Sequence, residues 1–147
     1  MTLNRFQMAG IAALAFAAGA LFTAALHPTG TVLANNNRVF ELRIYHTVPG
    51  KTDALHAEFR DHVTKLFAKH DLKAIGYWAP QDAPESGNTF VYILAHPSRE
   101  AAKQHWDAFR ADPDFQAMMK EQQAPDAKLV EKVDSIYMAP TDFSPMK

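Results

Sequence analysis

Apolar and polar residues alternate along RVFELRIYHT, Arg38 to Thr47, and a period of two predicts a β-strand. Phe40, Leu42 and Ile44 fall on one side of it. Val39, Glu41, Arg43 and Tyr45 fall on the other. Pro49-Gly50 ends the strand, and the period then changes. Leu55, Phe59, Val63, Leu66 and Phe67 recur at helical spacing, which predicts a helix over Thr52 to His70. Glu58, Arg60, Asp61, Lys65 and Lys69 take its solvent side. A second strand is expected over Leu72 to Ala79, a loop over Pro80 to Asn88, and a third strand over Thr89 to His96. Pro97 stops that strand. Ser98 can cap a second helix to about Ala111, with Ala102, His105, Trp106 and Phe109 inward. Asp112-Pro113 opens a short further helix carrying Phe115, Met118 and Met119. Leu129 to Met138 reads as strand four, and residues 140–147 as a tail.

The order strand–helix–strand–strand–helix–strand predicts an α+β, ferredoxin-like βαββαβ domain. Its antiparallel sheet has the order 4-1-3-2 and carries both helices on one face. Strand three then poses a problem, because it is apolar on both faces. Phe90, Tyr92 and Leu94 alternate with Val91, Ile93 and Ala95. Helices cover one face only, and a strand apolar on both sides needs burial on both. A second copy packed about a two-fold axis is the simplest cover in so short a chain, which predicts a homodimer. The plain alternative is a greasy open surface.

Residues 1–34 stand apart from this pattern. They hold one charge, Arg5, followed by an uncharged apolar run from Met8 to Leu26. A charged start, an apolar stretch and the small-residue exit Val32-Leu33-Ala34 describe an export signal cleaved before Asn35. The run also reaches the roughly 18 residues that can span a bilayer, so an uncleaved N-terminal membrane anchor is the competing reading. Either places the domain, residues 35–139, outside the cytoplasm, in a periplasmic or other extracytoplasmic location. It is soluble in one case and tethered by residues 8–26 in the other.

Beyond the leader there are 14 Lys and Arg against 16 Asp and Glu, and strand three carries no basic residue. That balance offers no electrostatic footprint for nucleic acid. The chain has no cysteine, which excludes thiol nucleophiles, CxxC redox motifs and thiolate metal sites.

Three stretches, FELRIYHTVPGK, FRDHVTKLFAKHDLKAIGYW and WDAFRADPDFQ, occur in this order. Together they resemble the NIPSNAP family over about Val39 to Met138. The resemblance implies a dimeric α+β barrel in which two ferredoxin-like sheets pack face to face. It implies no general catalytic residue set. Animal members of the family are mitochondrial, with signalling and trafficking roles. This sequence departs from them as a single short copy behind an apparent export signal. The wider dimeric-barrel superfamily implies cofactor-free monooxygenases, haem-binding enzymes and isomerases, by fold analogy alone.

Seven histidines are the tempting chemistry. None forms a His-x-x-x-His pair, and there is no HExxH. His46 and His96 end antiparallel strands and so lie roughly 20 Å apart at ~3.4 Å per residue, too far to share an ion. No metal and no cofactor is expected. Glu41, Arg43 and Tyr45 point the same way from a central strand. They read either as a polar belt at the two-sheet interface or as groups that orient an anionic or carbonyl ligand, for which the planar Arg fork is suited. His62, Tyr77, Trp78, His105 and Trp106 are candidates for a cleft between sheet and helices, where a histidine could act as a base. Core packing is the plain reading of each aromatic. The sequence therefore reads as an exported, homodimeric module that binds a small apolar or aromatic molecule or another partner. The alternatives are a cofactor-independent monooxygenase or isomerase, and a purely structural, self-associating protein.

Overall fold

The computed structural model describes residues 38–124 and 126–147. The leader, its cleavage point and the apolar run 8–26 lie outside the described residues. Among the described residues, no helix is long and apolar enough to cross a membrane.

The elements are β1 (Val39–Thr47), α1 (Thr52–Glu58), a π-helical turn (Phe59–Val63), α2 (Thr64–Lys69), β2 (Lys73–Trp78), β3 (Thr89–His96), α3 (Arg99–Ala111), α4 (Pro113–Glu121) and β4 (Val130–Met138). The four strands form one sheet in the order β2-β3-β1-β4, and every neighbouring pair is antiparallel. This is the expected α+β arrangement. Val39 lies opposite His96 and His46 opposite Thr89, so His46 and His96 sit at opposite ends of the pair, as expected of antiparallel strands.

Local chemistry explains the boundaries. After β1, Lys51 N–H donates to the Val48 carbonyl at 2.9 Å, and Gly50 has φ +74°. Pro49 and Gly50 thus fill the central positions of a turn that needs a positive φ at the second of them. Helix α2 ends in a Schellman-type cap. Asp71 adopts φ 56°, and Leu72 N–H donates to the Phe67 carbonyl at 2.9 Å. Ser98 caps α3 by accepting from Ala101 N–H, and the Asp112 carboxylate caps α4 by accepting from Asp114 N–H. The expected first helix is not uniform, because the segment Phe59–Val63 is wound as a π turn between α1 and α2.

The core lies between the helices and one face of the sheet. Leu55, Phe59, Val63, Leu66, Phe67, Trp106 and Phe109 pack on Phe90, Tyr92 and Leu94. The register fixes what the other face carries. Leu42 lies between Ile93 and Ile136, and Ile44 lies between Val91 and Asp134. Leu42, Ile44, Val91 and Ile93 are half-buried and Ile136 is 49% exposed, so that no described element covers this apolar face. The C-terminal tail returns to the start of β1, where Arg38 donates to the Lys147 carbonyl at 3.0 Å.

Candidate functional site

Glu41, Arg43 and Tyr45 do share one side of β1, but it is the helix-covered side. The reading of these residues as a belt at the two-sheet interface is corrected on this point, since the apolar residues of β1 face outward and the polar ones face α3. The reason lies in distant partners. Glu41 is fully buried, and its carboxylate accepts four hydrogen bonds. Trp106 Nε1 and His96 Nε2 meet Oε2 at 2.7 and 3.0 Å. Ser135 Oγ and Arg43 meet Oε1 at 2.7 and 3.2 Å. Burial alone would raise the Glu41 pKa. The bonds from His96, Trp106 and Ser135, together with the charge of Arg43, outweigh it and lower the pKa from 4.5 to about 2.

Arg43 extends the network. Its guanidinium reaches the Tyr45 hydroxyl at 3.4 Å, and that hydroxyl meets the Tyr92 hydroxyl at 3.1 Å. The same guanidinium lies over the Trp106 ring, 4.8 Å from its centroid. Burial works against the Arg43 charge, but Tyr92, Tyr45 and Glu41 more than compensate and raise its pKa. Burial likewise raises the Tyr92 pKa, so its phenol stays protonated.

A cleft of about 410 Å³ opens above this network, between α3 and the β1–β4 side of the sheet. Arg43 and Ser135 form its floor, with Glu41 beneath. Arg99, Lys103, Trp106 and Arg110 form the wall from α3. The Arg99 guanidinium lies 3.3 Å from the centroid of the Tyr137 ring. Lys103 and Arg110 both pair with Asp107, itself half-exposed. Such surface pairs contribute little and exchange readily for another anion.

The remaining candidates are dispersed. Tyr77 borders a second, aromatic cleft of about 350 Å³ on the β2 side, with His56, Phe59 and Phe90. Trp78 reaches only the rim of that cleft. Lying opposite Val91, it belongs to the open face, and its ring folds back over Gly76. His62 is exposed in a groove between the π turn and α4, away from the sheet, so it does not reach either cleft. His105 is half-buried, with its ring 6.4 Å from that of His96. Among the described residues, no group of three or more His, Asp and Glu is placed to hold a metal ion.

His96, Ser135 and Tyr92 went unmarked as site residues in the sequence, and so did His56. Only the register could have found the first three, because each sits beside a β1 residue on the same face or at the same strand end.

The NIPSNAP family model matches residues 40–145. The chain belongs to the NIPSNAP family. The match spans β1 through β4 and so includes every group of the Glu41–Arg43 network. A NIPSNAP family protein with unknown function from Agrobacterium tumefaciens overlays with a TM-score of 0.67 at 22% identity, covering 77% of this chain and 96% of that one. An uncharacterized NIPSNAP-like domain protein from Burkholderia xenovorans overlays with a TM-score of 0.63 at 19% identity, covering 75% and 90%. These likenesses show the fold. No curated protein matches the chain.

Proposed function

We propose that this NIPSNAP domain is a homodimeric module that binds a small anionic molecule, a carboxylate in the first instance, in the cleft above Arg43. One observation carries the reading: Arg43 is oriented by a buried, saturated Glu41 on the floor of a cleft whose wall supplies three more cations. Glu41 has no hydrogen-bonding capacity left to spend on a ligand, so its role is to hold Arg43. The Arg43 guanidinium lines the cleft and reaches Glu41 and Tyr45 through its two terminal nitrogens, whose remaining N–H donors suit a carboxylate. Trp106 offers an apolar wall beside it.

Dimerisation is the second part of the reading. The uncovered face formed by Leu42, Ile44, Val91, Ile93 and Ile136 supports a second copy packed sheet to sheet. The uncharged run 8–26 supports delivery of the domain outside the cytoplasm.

The test is calorimetric titration with benzoate and with its neutral isostere benzamide. Benzoate should bind and benzamide should not. Arg99→Gln should weaken benzoate by about tenfold, the worth of one charge-assisted hydrogen bond. Equal binding of the two ligands would remove the anionic reading.

A further inference from the structure

The aromatic cleft on the β2 side takes no part in the anion site. It is lined by His56, Phe59, Thr64, Tyr77 and Phe90, with Arg60 at its exposed rim. Phe59 opens the π turn, and such turns are frequent at functional sites. The rings are ordered as walls. Tyr77 and Phe90 are parallel within 2° at 6.1 Å between centroids, and Phe59 meets Phe90 edge-on at 4.8 Å. The His56 ring lies 4.9 Å from Phe90.

The lining also carries the Tyr77 and Thr64 hydroxyls and the His56 ring. His56 Nε2 is buried and has no hydrogen-bond partner among the described residues. A buried ring nitrogen without a partner costs free energy that a ligand can recover. The Thr64 hydroxyl donates to the Arg60 carbonyl at 3.3 Å and makes no bond to His56.

We infer that this cleft is a second binding site, specific for a small phenol. The aromatic walls take the ring in edge or offset contact. The hydroxyl meets His56 Nε2. A hydroxyl both donates and accepts, so it satisfies either tautomer of the imidazole, which an ether or a hydrocarbon does not. The site does not depend on the anion cleft, whose cations lie on α3 and β1.

The test titrates the full chain with 4-ethylphenol and with its methyl ether 4-ethylanisole. The ether keeps the ring and loses the donor. The phenol should bind at least about tenfold more tightly, as expected where a buried polar group is otherwise left unpaired. His56→Phe should abolish that preference, with the far-UV circular dichroism of the wild type showing that the variant is folded. Should His56→Phe fail to fold, His56→Gln, which can still bond a hydroxyl, should retain part of the preference. Equal affinity for the two ligands, absence of binding by both, or a preference that survives His56→Phe would each overturn the inference. So would chemical-shift changes confined to Trp106 and Arg99 rather than Tyr77 and Phe90.

Discussion

Trp106 Nε1 donates to Glu41 Oε2 at 2.7 Å, joining α3 to the centre of the sheet across 65 residues of chain. This bond decides which way β1 faces. A carboxylate with no exposure needs donors on every side. The helix-covered face supplies them from α3, β3 and β4, whereas the open face presents only apolar neighbours around Leu42.

Glu41→Gln therefore breaks the network more severely than a loss of charge suggests. The new amide turns a donor toward groups that already donate, and Arg43 loses its counter-ion. The stability loss should be about 3 kcal/mol or more, read from urea denaturation with an unchanged slope.

The same carboxylate sets an acid limit. The folded pKa of Glu41 is depressed to about 2 from 4.5. Its contribution is complete above pH 4.5 and is lost as pH falls toward 2. By linkage this amounts to about 3 kcal/mol. Stability measured between pH 6 and pH 3 should fall in the wild type, and the fall should be smaller in Glu41→Gln. Parallel curves for the two proteins would show that Glu41 is not the titrating group.

Asp112 predicts a second, separable acid effect. Lys69 and His70 hydrogen-bond its buried carboxylate at 2.7 and 2.6 Å and lower its pKa. Asn caps a helix about as well as Asp, so Asp112→Asn keeps the start of α4 while removing the charge. The melting temperature should drop at neutral pH. The difference from wild type should shrink as the pH falls below the ordinary Asp range, because the unfolded chain's Asp112 protonates there before the folded one does.

The alternation in β1 was enough to place Glu41, Arg43 and Tyr45 on one side, and the apolar character of both faces of strand three was legible too. The side to which β1 turned its charges was not legible. His96, Trp106 and Ser135 lie 55, 65 and 94 residues away from Glu41 in sequence, and only the register brings them in. The apolar stripe Leu55–Phe67 survives the π turn with its inward residues buried, so the stripe alone did not show the turn. Tyr77 and Trp78 looked like joint wall residues. Their adjacency in a strand turns them to opposite faces, and the irregularity between Ala74 and Gly76 sets which face each takes.

The open face can be tested without disturbing the core. Ile136 is half-exposed in the single chain, so Ile136→Asp should cost the monomer little. In a sheet-to-sheet dimer it would bury an unpaired charge. Sedimentation should show a monomer with unchanged far-UV circular dichroism. A persistent dimer would move the interface elsewhere.

The most direct measurement of the central claim is native mass spectrometry of the protein purified gently from its own host. The account predicts a dimer carrying an added small-molecule mass, retained by the wild type and lost from the Arg99→Gln/Lys103→Gln variant. A bare monomer, or an adduct that survives the loss of both cations, would contradict it.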